Sequence, residues 1–354
     1  MKAAIFRGAG HIEVTEVPTP EPMPGEVLVR VHYCGICGTD LEAYQTGMYE
    51  PGLVIGHEFA GEIVALGEGV QGWAIGERVT IDNALPCGRC WFCRQGRPSL
   101  CQELLSPGIT LDGGMAEYVR LPVSLLHRLP QGVSTRQGAL VEPLTIALHG
   151  VRSSALKPGD WALVLGAGPI GLLTLQCALL AGARQVLVVE VNPKRAAIAR
   201  ELGASYVLHP QRDNLAVEVA ARTDGLGPDV VYVCTGAAPA FESALGLVRR
   251  GGQVFVLGLC PEPVPTDFMS VVLSELDIRG GYLGHGAFPA ALDYLAQGRV
   301  RVDPLISHEI ALEDVVEQGF EQMLRPDTEA IKVLVRIGGE RSVKRKTGNG
   351  KRKT

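Results

Sequence analysis

The stretch Trp161–Ala183, WALVLGAGPIGLLTLQCALLAGA, decides the fold. Its 23 residues carry no charge, enough to suggest a membrane span on hydropathy alone. Gly166, Gly168, Pro169 and Gly171 argue otherwise, because they interrupt the apolar run directly after the strand-like WALVL. Gly166-Ala167-Gly168-Pro169-Ile170-Gly171 has the G-x-G-x-x-G spacing, which a chain with 44 glycines produces by chance now and then. Its place between an apolar strand and a helix-forming segment gives it weight. There the first glycine permits the turn, the second lets backbone approach a pyrophosphate, and the third lets helix pack on strand. The helix N-terminus, opened by Pro169 and Ile170, offers free N–H groups and a partial positive charge to phosphates. The next strand, VLVVEV, leads into Glu190, 19 residues beyond Gly171, where a carboxylate chelates the adenosine ribose hydroxyls and repels a 2′-phosphate. The stretch therefore predicts a dinucleotide site for NAD. Arg195 would flank the ribose, although taken alone it would favour NADP. Asn192-Pro193 fit an N-cap followed by a first-turn proline.

Outward from this stretch, apolar strands alternate with helical patterns from about residue 145 to 284: WALVLG, PIGLLTLQCALLAG, VLVVEV, PKRAAIARELG, SYVLH, NLAVEVAARTD, DVVYVCTG, AFESALGLVRRG and QVFVLGL. That rhythm predicts a doubly wound parallel sheet in an α/β protein. Residues 1–140 instead read as short strands broken by Gly and Pro (EVLVRVHY, GEIVALG, ERVTID, AEYVRLP), the texture of a β barrel or sandwich. After Gly284 come a helix, FPAALDYLAQG, and mixed segments to Ile337.

The 354 residues suit two domains, and 46% hydrophobic residues supply ample core, which excludes a disordered or collagen-like chain. Net charge is −5, but residues 341–354 hold seven Lys or Arg and no acid, leaving 26 basic against 38 acidic residues elsewhere. An acidic body argues against nucleic acid or anionic membrane as partner, and the basic tail reads as a solvated terminus. The start, MKAAIFRGAG, lacks the apolar core of a secretory signal, so a cytoplasmic protein is expected.

Nine cysteines, an odd number, argue against a disulfide framework. Cys87-x2-Cys90-x2-Cys93-x7-Cys101 places four thiols in fifteen residues, a donor set for a closed tetrahedral structural Zn²⁺. The x7 gap departs from the ferredoxin run that three x2-spaced cysteines would otherwise suggest. A dispersed second group joins Cys37, in Cys34-Gly-Ile-Cys37-Gly-Thr39-Asp40, to His57-Glu58; three protein ligands with an open position would make a catalytic zinc site. Cys34, Cys177, Cys234 and Cys260 lie in apolar contexts and read as buried packing residues.

Gly56-His57-Glu58-x2-Gly61-x5-Gly67-x2-Val70 resembles the signature of the zinc-containing medium-chain alcohol dehydrogenases, and the Cys37 segment, the Cys87–Cys101 lobe and the Gly166 turn follow in that family's order. The resemblance spans residues 1–337. It implies a GroES-like β-rich catalytic domain (1–144 and 285–354) around an inserted Rossmann domain (145–284), and two Zn²⁺ per chain. Glu142-Pro143-Leu144 resembles the sorbitol (polyol) branch, with the 2,3-butanediol and threonine dehydrogenases as close relatives.

The implied activity is zinc-assisted oxidation of a secondary alcohol, a polyol or vicinal diol, to a ketone, with hydride transfer to NAD⁺; threonine is the alternative substrate. Thr39 would relay the alcohol's proton, and Asp40 would hold His57. Leu257, Gly258, Leu259, Tyr282 and Leu283 would approach the nicotinamide, and His149 would line the cleft. A homo-oligomer, often a tetramer in this family, is implied. Two points stay open. With Cys37 thiolate and neutral His57, one carboxylate brings zinc to formal neutrality, so Glu58 and Glu142 should not both bind tightly at once. The family's usual histidine three residues after the relay Ser/Thr is Glu42 here, which either takes over as relay base or is a surface residue. A zinc-free reductase of the same fold would lack Cys37 and His57, and a non-catalytic nucleotide-binding relative would be expected to lose the ligands or Thr39.

Overall fold

The computed structural model describes residues 1–337 apart from His285 and Pro326, so the basic tail lies outside the described residues. The uncharged stretch resolves into a strand, Trp161–Leu165, and a helix of 12 residues, Pro169–Leu180. Among the described residues no helix is long and apolar enough to cross a membrane.

Trp161–Leu165 sits inside a six-stranded parallel sheet ordered Tyr206–Leu208, Gln185–Val189, Trp161–Leu165, Val230–Val233, Gln253–Val256, Asp277–Gly280. The runs WALVL, QVLVV and VVYV are apolar throughout because both faces of a parallel sheet are covered. Ala162, Val164, Val188 and Tyr232 pack on one side against the helices Val141–Ser153, Pro169–Leu180 and Phe288–Ala296. Their strand neighbours Leu163, Leu165, Leu187 and Val231 pack on the other against the helices Leu215–Arg222 and Ala238–Leu247. The connections reverse direction between Trp161–Leu165 and Val230–Val233, which opens a crevice at the carboxyl ends of those two strands.

A seven-stranded, mainly antiparallel sheet lies apart: Ile306–Ala311, Lys332–Arg336, Glu26–Gly35, Glu58–Leu66, Arg78–Ile81 and Leu126–Arg128 in order, with Tyr118–Pro122 also paired to Glu26–Gly35. Chain ends meet here, since Lys332–Arg336 runs antiparallel to Glu26–Gly35 with Leu334 opposite Gly35. The alternation Val27, Val29, Val31 meets Ile63, Val79, Val333 and Val335 in one core. The helix Val141–Ser153 runs straight across residue 145 and packs on Pro169–Leu180, so it belongs physically to the parallel-sheet layer while its first turn reaches toward the second sheet.

Candidate active site and metal centres

Cys37 caps the helix Gly38–Thr46, and Asp40, at its third position, turns its carboxylate back so that Oδ2 accepts the Cys37 N–H at 3.0 Å. This capping box fixes Cys37 just ahead of the first turn. His57 and Glu58 enter through Gly56, whose φ of +93° and contact distance of 2.6 Å from a would-be Cβ to Cys34 Sγ allow only glycine. Glu58 then lies opposite Gly35 in the antiparallel ladder, where a Cβ at 35 would meet Glu58 Oε2 at 2.3 Å. The missing side chain makes room for the carboxylate.

These local devices bring one donor atom each from Cys37, His57 and Glu58 within 4.8 Å of one another. His57 is 3% exposed, and its Nδ1 lies 3.4 Å from Asp40 Oδ1, too poorly aligned to count as a hydrogen bond, so Nδ1 has no hydrogen-bond partner. Burial disfavours a charged His57, yet the Asp40 carboxylate and the Cys37 thiolate outweigh it and hold the imidazole well above its usual pKa. A buried nest of acids and a thiolate that draws a proton onto an imidazole is a site short of positive charge, which a divalent cation would supply. The donor set fits zinc. Thr39 Oγ1 lies 3.8 Å from Cys37 Sγ, and Glu42 follows one turn later on the same helix face.

Glu142 occupies the first turn of Val141–Ser153 and is buried, but it does not join the three-ligand cluster. Desolvation, opposed by His57 and reinforced by Glu58, pushes its carboxyl up to about 7. Lys332 is the residue that sequence reading missed. Its Nζ donates to Glu58 Oε2 at 2.5 Å and to Ile36 O at 3.0 Å, with only 3% of the side chain exposed. Its signal in the sequence, one lysine in KVLVR, looks like an edge-strand residue.

The sulfurs of Cys87, Cys90, Cys93 and Cys101 also gather within 4.8 Å. Backbone N–H groups of Cys87, Cys90 and Glu103 donate to them at 3.2–3.4 Å, and N–H groups of Cys93 and Gln102 draw the Cys90 thiol down. All four are free thiols. Backbone N–H groups also hold the Cys87 thiol down, whereas burial and the neighbouring thiols push Cys93 up to about 12, so four sulfurs share too little positive charge and fit a closed tetrahedral zinc site. Cys34, Cys177 and Cys234 are buried, but Cys260 is not, because the chain leaves the sheet after Gln253–Val256 and Leu259 beside it is 61% exposed.

The nucleotide residues divide between two cavities. One of about 610 Å³ is lined by Gly166, Gly168, Glu190, Arg195, Leu215 and Thr235. Gly166 has φ of +93°, a Cβ at Gly171 would stand 1.8 Å from Gly166 O, and a Cβ at Gly168 would project into open space, leaving backbone free for a pyrophosphate. Pro169 opens the helix, and Asn192 caps the next one through its side-chain oxygen. Glu190 Oε2 accepts from Ala167 N at 2.7 Å, and Oε1 from Val191 N and Asn192 N at 2.9 and 2.8 Å. Arg195 donates to Ala330 O, while its buried Nε has no partner. A second cavity, about 410 Å³, has Leu257, Gly258, Leu259, Tyr282 and His149 in its wall. Leu283, next to Tyr282, takes φ of +57°, the left-handed region that a branched residue avoids.

Comparison with known proteins places the chain in a family. Residues 23–131 match the alcohol dehydrogenase GroES-like domain, and residues 169–297 match the zinc-binding dehydrogenase family. The (R,R)-butanediol dehydrogenase of Bacillus subtilis is 34% identical over 95% of this chain and 99% of that protein. The sorbitol dehydrogenase of the same organism is 31% identical over 95% and 97%. The chain belongs to the zinc-containing alcohol dehydrogenase family. A zinc-binding dehydrogenase of Sinorhizobium meliloti 1021, solved with NADP, superposes with a TM-score of 0.89 at 36% identity over 95% of this chain and 98% of that one. The GroES-like and Rossmann-type sheets are therefore those of this oxidoreductase family.

Proposed function

We propose that the protein oxidises a secondary alcohol, a polyol or vicinal diol, to the ketone and passes the hydride to NAD⁺. The observation that carries this is the convergence of Cys37, His57 and Glu58 beside the Thr39 hydroxyl, with the buried Glu142 facing His57 and Glu58. Zinc bound there supplies Lewis-acid polarisation of the alcohol oxygen. Cys37, His57 and Glu58 would hold it, Asp40 would orient His57, and Glu142 would stay outside the inner shell, which keeps one carboxylate on the metal. Thr39 would accept the alcohol's proton and pass it along the helix face toward Glu42. The Cys87–Cys101 lobe would hold the second zinc.

NAD is favoured over NADP because Glu190 is held by three backbone N–H donors and cannot retreat from a 2′-phosphate. The NADP-bound relative and the partly unsatisfied Arg195 make this the sharpest point to test. For assembly we propose a homo-oligomer, with a tetramer as the family form. The short helix Phe268–Leu273 exposes Phe268, Met269, Val272 and Leu273 beside the unpaired edge of Asp277–Gly280, an apolar face that a monomer would leave wet. With nine cysteines and a lobe that needs reduced thiols, the compartment proposed is the cytoplasm.

The test is NAD⁺ and NADP⁺ reduction with sorbitol, xylitol, 2,3-butanediol and threonine. Turnover of a polyol or diol with NAD⁺ supports the reading. Turnover of threonine alone reassigns the substrate, a preference for NADP⁺ overturns the role assigned to Glu190, and reduction with none of them overturns the activity.

A further inference from the structure

Asp40 is 1% exposed and carries two differently engaged oxygens. Oδ2 is held locally by the Cys37 N–H. Oδ1, the oxygen that faces His57 Nδ1, accepts the hydroxyl of Tyr49 at 3.2 Å. Tyr49 reaches back from beyond the helix, after Gly47 closes Gly38–Thr46 with φ of +79°. Its ring is 4% exposed and packs edge-on against Phe6, with centroids 5.9 Å apart and planes at 72°. Burial first, and then the Asp40 and Cys37 charges, keep the phenol far above its usual pKa, so it is a permanent donor. A buried tyrosine hydroxyl needs a partner, and here the partner is the oxygen that bears on the metal ligand.

The Cys37 N–H restrains the Asp40 carboxylate through Oδ2 alone, which leaves the whole group some freedom to swing about the Cβ–Cγ bond. The Tyr49 hydroxyl closes that freedom from the opposite side. We propose that Tyr49 is a positioning residue for the catalytic metal: its hydroxyl holds Asp40 in the orientation that aims His57, and removing it weakens zinc retention at Cys37, His57 and Glu58 alone. This role rests on Cys37, His57 and Glu58 being the zinc ligands proposed for the reaction. Tyr44, within the same helix, supplies the contrast, since its hydroxyl goes to Glu321 Oε1 at 2.6 Å instead of to Asp40.

The test is zinc release from the purified, zinc-loaded protein to a chelator, in the wild type, Tyr49→Phe and Tyr44→Phe. The zinc that Cys37→Ser removes defines the catalytic site. Tyr49→Phe keeps the ring and its contact with Phe6. It should weaken that zinc about ten-fold, the low end of what an outer partner of a metal-bound histidine contributes. Zinc in the four-cysteine lobe should not change, and Tyr44→Phe should match the wild type at both sites. A second variant guards against misfolding: Asp40→Asn should weaken the same zinc at least as much, and Tyr49→Phe added to it should cost nothing further, because Tyr49 acts through Asp40. Tyr49→Phe that holds the catalytic zinc as tightly as the wild type overturns the proposal. So does parallel loss at both sites, which would mark a general structural role. A wild-type zinc count that Cys37→Ser leaves unchanged overturns the metal reading itself, and this proposal with it.

Discussion

The four-cysteine lobe and the Cys37–His57–Glu58 cluster solve the same problem, gathering metal donors, by opposite means. The lobe takes four identical donors from fifteen consecutive residues and steadies its sulfurs with neighbouring backbone N–H groups near the surface. The buried cluster takes three different donors from the Cys37 cap and the adjoining strand, and it needs Lys332, 274 residues beyond Glu58, to offset its acids. Local gathering gives a closed site that can only bind. Long-range gathering gives unlike donors, a buried acid left over in Glu142, and a hydroxyl at hand in Thr39, the parts that the proposed proton and hydride chemistry would use.

The largest effect separating the two sites is on turnover. Cys37→Ser or His57→Ala removes the Lewis acid, worth several kcal/mol, so kcat/KM should fall by about 10³-fold or more while the lobe keeps its zinc. Equal loss of zinc from both sites would show that the two are not independent. The next largest is on stability. In the metal-stripped protein, Lys332→Met strands the buried Glu58 carboxylate and should cost about 3–5 kcal/mol in denaturant unfolding, much of it recovered in Lys332→Met with Glu58→Gln. If the double variant is no more stable than the single, the ion pair does not account for that lysine.

A smaller effect concerns pH. In the metal-stripped protein, Glu142 is raised from the usual 4.5 to about 7, so folding favours its protonated form. That stability is fully present below about 4.5 and is lost as pH rises through about 7, on the order of 1–3 kcal/mol by linkage. Glu142→Gln should abolish the loss, so at pH 8 the variant is the more stable of the two, and thermal midpoints from pH 5 to 8 measure this. Parallel midpoint curves for the two proteins would show that the buried Glu142 carboxyl is not the group responsible. Smallest is the lobe's own surface pairing. Arg89 and Glu103 meet at 2.5 Å but stand 75% and 55% exposed, so Arg89→Ala should leave the thermal unfolding midpoint unchanged.

The same contrast explains what could be read from the sequence. The parallel sheet was legible because WALVL, QVLVV and VVYV are buried on both faces, and only that placement suits unbroken apolar runs. Asp277–Gly280 was not, because all four of its residues are exposed and carry no burial pattern. The helix Gly38–Thr46 was also silent, since it rests on the Cys37–Asp40 cap more than on an apolar stripe. In the candidate site, Cys37, His57 and Glu58 stand out by glycine-flanked spacing, and the lobe cysteines by theirs. Lys332 and Tyr49 do not, because their roles are set by strand pairing and by a turn at Gly47, neither of which leaves a motif. Cys260 misleads for a related reason: its apolar neighbours belong to a segment that has already left the sheet.

The most direct measurement is zinc per chain together with NAD⁺ reduction, in the wild type and in Cys37→Ser. Two zinc ions are expected in the wild type and one in the variant, with alcohol-dependent NAD⁺ reduction lost along with the missing ion. A wild type that turns over its alcohol with a single zinc that Cys37→Ser does not remove, or a Cys37→Ser protein that keeps both its activity and its metal, would contradict a catalytic zinc at Cys37, His57 and Glu58.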